Sequence, residues 1–244
     1  LVAQTGVHGT YYEVEEANGG AHGTVGRPLL PTASYALPNL DAVQPHGVLL
    51  ISATLNTVED VDPVVTRPVT DTALPEPELN PEIGWMPARS FVINHAGELP
   101  RLAATFALFN ARTSEMRLIE EATIKVLGAS ANNSDYTPPQ IGASSVTIFG
   151  QQATITTQVS DSESEVDAVY TTFISPTRIW TAPLTRDPND LTGEIWIGGA
   201  TGLWRDVNYF IQAIDTAGNV GLAAAKGDYL SIDLPTLYLP LVLR

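Results

Sequence analysis

The chain has 244 residues, 12 Lys and Arg against 27 Asp and Glu, a net charge of −15 and 44% hydrophobic residues, enough for one large or two ordinary domains around a real core. With Lys125 and Lys226 as its only lysines it has no cationic cluster to displace counterions, which excludes a nucleic-acid partner and disfavours anionic membrane surfaces. The absence of cysteine removes disulfides, thiolate zinc sites and thiol catalysis, and no apolar run approaches the ~20 residues of a membrane span.

Few charges with many Thr and Val point to a β-rich extracellular protein. The chain opens on Leu1, which fits a processed secreted protein as well as a piece of a longer one. Strand signals come first at 47–59 ("GVLLISATLNTVE"), 89–95 ("RSFVINH") and 101–110 ("RLAATFALFN"). In the last, Leu102, Ala104, Phe106 and Leu108 share one face at period two. "NARTSE" reads as a turn into "MRLIEEATIKVL" (116–127), where Met116, Leu118, Ala122, Ile124 and Val126 share a face and Glu120 breaks the pattern. A helix is possible there, but run, polar turn and run together predict a hairpin. Between the runs at 47–59 and 89–95, residues 58–87 hold six prolines and several acids, which excludes a central strand or a helix interior and leaves a long extended loop, either a solvated excursion or an arm that packs on a neighbour.

"GASANNSDYTPPQ" (128–140) has the small, polar, proline-ended composition of a linker. Seven short alternating runs follow, at sandwich spacing. The expected architecture is all-β: two β-sandwich-like domains in tandem, 1–134 with its arm at 58–87 and 135–233, then an apolar tail at 234–244 that forms an extended C-terminal strand.

Three stretches carry resemblances. "TPPQIGASSVTIFGQQATITTQVSDSESEVDAVYTTF" and "VNYFIQAIDTAGNVG" resemble the Ig-like or fibronectin-III-like domains of secreted bacterial proteins. That likeness implies a tyrosine corner at Tyr209 and a tight turn at 215–219 with Gly218 at positive φ. "GRPLLPTASYAL" and "FALFNARTSEMRLIEEATIKV" resemble the propeptide domain of gingipain-type cysteine peptidases, which implies a β-rich domain over 1–134. The peptidase itself is missing and there is no Cys nucleophile. "LYLPLVLR" resembles C-terminal segments found on unrelated secreted bacterial proteins, which implies an export address, an anchor or a docking device.

Catalytic motifs are scarce. His8, His22, His46 and His95 show no HExxH or i,i+4 spacing and read as isolated surface or loop residues. There is no GxSxG and no phosphate-binding glycine loop, and "HGTVGRP" (22–28) reads as a turn. Asp161, Glu163, Glu165 and Asp167 alternate in "DSESEVD". On an extended strand they would share a face and attract Ca²⁺; the competing and favoured reading is a solvated loop, with no cofactor. "EVEE" (13–16) and Glu120–Glu121 would act as glycosidase acids only across a cleft. Trp180, Trp196 and Trp204 suit either a sugar platform or, the favoured use, a core. Asn132 heads a glycosylation sequon in form.

The tail carries the functional expectation. Leu237, Leu239, Leu241 and Leu243 alternate, so an extended strand points them all one way. Burying them contributes roughly 6–12 kcal/mol before ordering costs. Pro240 lacks an N–H and restricts that strand to a sheet edge, and Pro235 opposes a helix. The host sheet is either the chain's own second domain or, the favoured reading, another subunit, which leads to a non-catalytic extracellular structural protein, a self-polymer of a cell-surface filament or layer built by strand addition. The alternative is a secreted accessory module that caps a peptidase or adheres to carbohydrate.

Overall fold

The computed structural model describes residues 1–6, 9–38, 42–67, 79, 84–96, 99–149, 152–201, 207–223 and 229–231. The first half contributes β1 (Val2–Gly6), β2 (Gly9–Glu13), β3 (Gly19–His22), β4 (Leu30–Ala36), β5 (Val43–Val58), β6 (Trp85–Met86), β7 (Phe91–Asn94), β8 (Arg101–Thr105), β9 (Ala107–Asn110) and β10 (Glu115–Ser130). The second contributes β11 (Gln140–Phe149), β12 (Gln152–Ser160), β13 (Val166–Ile174), β14 (Arg178–Arg186), β15 (Ile195–Thr201), β16 (Asn208–Asp215), β17 (Val220–Ala223) and β18 (Leu230–Ser231). The described residues are all-β, with no helix among them.

The expected hairpin is present. Its turn is held by the Asn110 side chain, whose Oδ1 accepts the Arg112 N–H at 2.9 Å, and by Ser114 at φ 54°. The run before it does not keep one face throughout. At Phe106 the chain crosses between two sheets: β8 pairs with β4 and β7, and β9 pairs with β10 and β6. Ala107, Leu108 and Phe109 are therefore all buried, because β9 has neighbours on both faces. Glu120 breaks the alternation of β10 for a local reason. The register against β5 shifts between Ile119 and Glu121, so Glu120 is the extra residue of a bulge and turns to solvent.

The second half is a β-sandwich. One layer is β11–β12–β15; the other is β14–β13–β16, with β17 and β18 both on the far side of β16. Ile155, Val159, Val169, Phe173, Trp196, Tyr209 and Ile211 fill the space between. Burial raises the Tyr209 phenol above its ordinary range. The turn at 215–219 has the expected Gly218 at φ 81°, and a Cβ there would lie 2.9 Å from the Gly128 backbone.

Strand β14 carries the second-half layer into the first half. Its Arg178, Ile179 and Trp180 pair with Thr54, Ala53 and Ser52 of β5, and β5 pairs along its length with β10. One buried cluster joins Ala53, Leu55, Leu108 and Ile119 to Ile174, Ile179 and Phe210, and a second joins Leu49 to Ile214 and Val220. The two segments thus share core. In the connecting stretch, Gly128 to Ser130 still belong to β10. After it, Asn133 Oδ1 accepts the Asp135 N–H and Asp135 Oδ1 the Thr137 N–H, giving two successive side-chain-closed turns.

Candidate functional site

Three places assemble polar chemistry or uncovered surface: the seam between the halves, a cavity in the first half, and the sheet edges.

At the seam, the buried Gln212 acts as a strand surrogate. Its Oε1 accepts the Leu50 N–H at 3.1 Å, and its Nε2 donates to Leu50 O at 2.9 Å and to Thr172 Oγ1 at 2.6 Å. A buried amide is tolerated because its donors and acceptor are used. Nearby, Asp215 accepts the Asn219 N–H and Nδ2–H at 2.8 Å each, and Asn219 Nδ2 also reaches Asp135 O at 3.2 Å. The turn of the sandwich is thereby tied to the connecting stretch. Sequence reading overlooked Gln212, Asp215 and Asn219 as buried groups; polar residues in the otherwise apolar "YFIQAID" run were the available signal.

The histidines are less isolated than their spacing suggests. His46, half-buried on β5, stacks on Tyr136 with ring centroids 4.4 Å apart, and His95 meets the same ring edge-on at 6.3 Å. The Tyr136 hydroxyl donates to Gln44 Oε1 at 2.7 Å. Both His46 ring nitrogens are enclosed without a hydrogen-bond partner among the described residues. His22 is exposed, and His8 lies outside the described residues.

The acidic run forms the loop between β12 and β13 rather than an extended strand. Asp161 Oδ1 accepts the N–H groups of Glu163 and Ser164 at 2.8 Å each, which turns the chain. Glu163 Oε1 accepts the Thr137 hydroxyl at 3.1 Å, the Glu165 carbonyl accepts the Thr216 N–H at 2.9 Å, and Asp167 is exposed on β13. Asp135 approaches from the connecting stretch, its carboxyl held below the ordinary range chiefly by the Thr137 N–H. Asp135 Oδ2, Asp161 Oδ2 and Ser164 Oγ are enclosed and unpartnered among the described residues. No group of three or more His, Asp or Glu among those residues is arranged to hold a metal.

Tryptophans occur in stacked, cation-capped settings. Trp180 stacks on Phe173 at 5.2 Å under the Arg178 guanidinium, and buried Trp196 lies under Arg186. Neither belongs to an exposed row, and Trp204 lies outside the described residues. Glu120 and Glu121 are exposed at the bulge. A cavity of about 590 Å³ opens in the first half, with Leu30, Trp85 and Met86 as apolar lining and His22 and Arg27 as polar lining. The opposite relation holds for Arg117, which is buried over the Trp85 ring at 4.1 Å and bonded to Glu115 at 2.6 Å.

The sheets end in edges of unequal length. β3 and β7 flank the four-stranded sheet, and β6 and β11 end the long path. The tail residues Leu237, Leu239, Pro240, Leu241 and Leu243, and half of the proline-rich arm at 58–87, lie outside the described residues.

No protein-family model matches the chain, and no curated protein matches it in sequence. Two solved structures show weak similarity. One, from work on the zymogenic latency of gingipain K of Porphyromonas gingivalis, is 14% identical at a TM-score of 0.41, covering 53% of this chain and 81% of its own. The other, the complex of Porphyromonas gingivalis RgpB pro- and mature domains, is 15% identical at 0.38, covering 50% and 70%. Likeness at this level says nothing about what this chain does.

Proposed function

We propose that this protein is a non-catalytic extracellular structural subunit, which self-assembles when the C-terminal strand of one copy joins a sheet of the next. The observation that supports this reading is the set of sheet edges without a strand partner among the described residues, on a body whose two halves share buried clusters. Such a body can accept a strand without rearranging, and backbone hydrogen bonds supply affinity while alternate side chains supply fit. The four alternating leucines of 237–243 provide the apolar row. Head-to-tail contacts that do not close produce an open filament.

Deleting residues 236–244 tests the reading. Negative-stain micrographs and light scattering should show the loss of high-mass assemblies, while the β-rich circular dichroism of the monomer persists. Polymers unchanged by the deletion would contradict it.

One observation favours the second reading, a secreted binding module: the cavity beside Trp85, whose apolar lining and Arg27 and His22 suit a small anionic ligand with an apolar body.

A further inference from the structure

We infer that the acceptor for the C-terminal strand is the outer edge of β11, and that its occupant is residues 236–244 of a second copy; this rests on the assembly reading above. Edge strands of soluble proteins are normally guarded by brevity, proline, charge or a covering element. The competing edges are guarded in that sense. β1 has five residues, β3 and β7 have four each and β6 has two; β10 beyond its pairing with β9 carries Glu120, Glu121 and Lys125; and the far side of β16 is taken by β17 and β18.

β11 has ten residues, "QIGASSVTIF", with no proline and no charge. On one side it pairs with β12 from Gln140 to Phe149. On the other it has no backbone partner among the described residues from Ser144 onward. Its inward side chains Val146 and Ile148 are only half-buried, although they pack against the sandwich core. Phe149, at its tip, is 85% exposed.

A docked strand with alternating leucines meets both needs at once. Its inward row would lie beside Val146 and Ile148 and extend the core. In a β-strand the backbone polar groups of alternate residues point to opposite sides, so the leucine residues can bond to β11 while Tyr238, Pro240 and Val242 turn theirs outward. Pro240 then lacks an N–H only where none is needed. The length also fits: nine residues span about 30 Å against roughly 20 Å for residues 144–149.

Strand direction favours a second copy over the same chain. Ser231 of β18 pairs with Asn208 at the start of β16. Thr201, at the end of β15, pairs with Gln152 next to the β11 tip, and the short connection 202–207 joins the two ends. β18 and β11 therefore run towards the same pole. A chain that continues along β18 leaves the molecule, whereas docking on its own β11 requires a reversal within residues 232–235.

Because residues 1–244 contain no cysteine, paired thiols give a clean test in the untruncated 244-residue chain. Thr147→Cys is placed on the exposed outward row of β11, and Tyr238→Cys and Val242→Cys, in separate proteins, sample two registers of the tail. When Thr147→Cys is mixed with each tail variant and oxidised, only an intermolecular disulfide can give a mixed dimer. The expected result is a mixed dimer in at least one pairing, at roughly ten-fold the yield obtained with Leu191→Cys, a fully exposed loop position that reports random collision. Assemblies that form normally while neither pairing exceeds that control would overturn β11 as the acceptor and leave the assembly reading standing. A disulfide confined to monomers of a Thr147→Cys/Val242→Cys chain would overturn the second copy as donor. Absence of any assembly from the unsubstituted protein would overturn the assembly reading itself.

Discussion

At β14 the C-terminal sandwich is continued by another part of its own chain, whereas at β11 it stops. Both flanks present the same backbone groups. At β14, Arg178 to Trp180 are met by Thr54 to Ser52 of β5, and the contact is backed by Phe210, Ile174 and Ile179 on one side and Ala53 and Leu55 on the other. At β11 the half-buried Val146 and Ile148 rest on the sandwich core from one side only, and Phe149 is exposed. The difference teaches that the two edges are treated unequally: the chain covers one flank in cis, with a shared core, and gives the other no strand partner among the described residues.

Phenylalanines on the two flanks give the largest contrast. Phe210→Ala empties a buried site between the halves and should cost about 3–5 kcal/mol, read as a lower urea midpoint at unchanged slope. Phe149→Ala, made in the protein lacking 236–244, should stay within about 0.5 kcal/mol. Equal losses at the two positions would erase the comparison.

Gln212→Ala comes next. It leaves the Leu50 N–H and carbonyl without their side-chain partner inside the seam and should cost about 1–3 kcal/mol in the same measurement. A neutral outcome would mean that the apolar clusters alone join the halves.

The smallest effect concerns the loop from β14 to β15. Asp190 accepts the N–H groups of Ile195, Thr192 and Glu194 and the Thr192 hydroxyl, and these bonds lower its carboxyl from 3.8 to about 2. A folded value below the unfolded one contributes stability above pH 4 that is lost as pH falls towards 2. An NMR acid titration should show the Thr192, Glu194 and Ile195 amides shifting together over that interval, and Asp190→Asn should abolish the shift.

Where a signal was local, it was legible. The hairpin at 101–127 follows from two apolar runs around a polar turn, and the turn at 215–219 from Gly218 beside Asp and Asn. The sandwich strands follow from alternation at period two. The acidic run misleads in its extended reading because alternation of charge in a sequence does not reveal that Asp161 will bend the chain through its own backbone bonds. His46 and His95 look solitary because Tyr136, which brings them together, is distant in sequence from both.

By itself the sequence determined the all-β character and the positions of the turns, because these depend on side-chain alternation and backbone freedom within a few residues. It also placed a row of leucines at the C-terminus. Only the tertiary structure decided that β5 closes the β14 flank, that Gln212 is buried as a strand surrogate, and that β11 has no second strand partner among the described residues. Strand pairing is a choice among distant partners with similar backbones, and it is settled by which apolar faces can share a core.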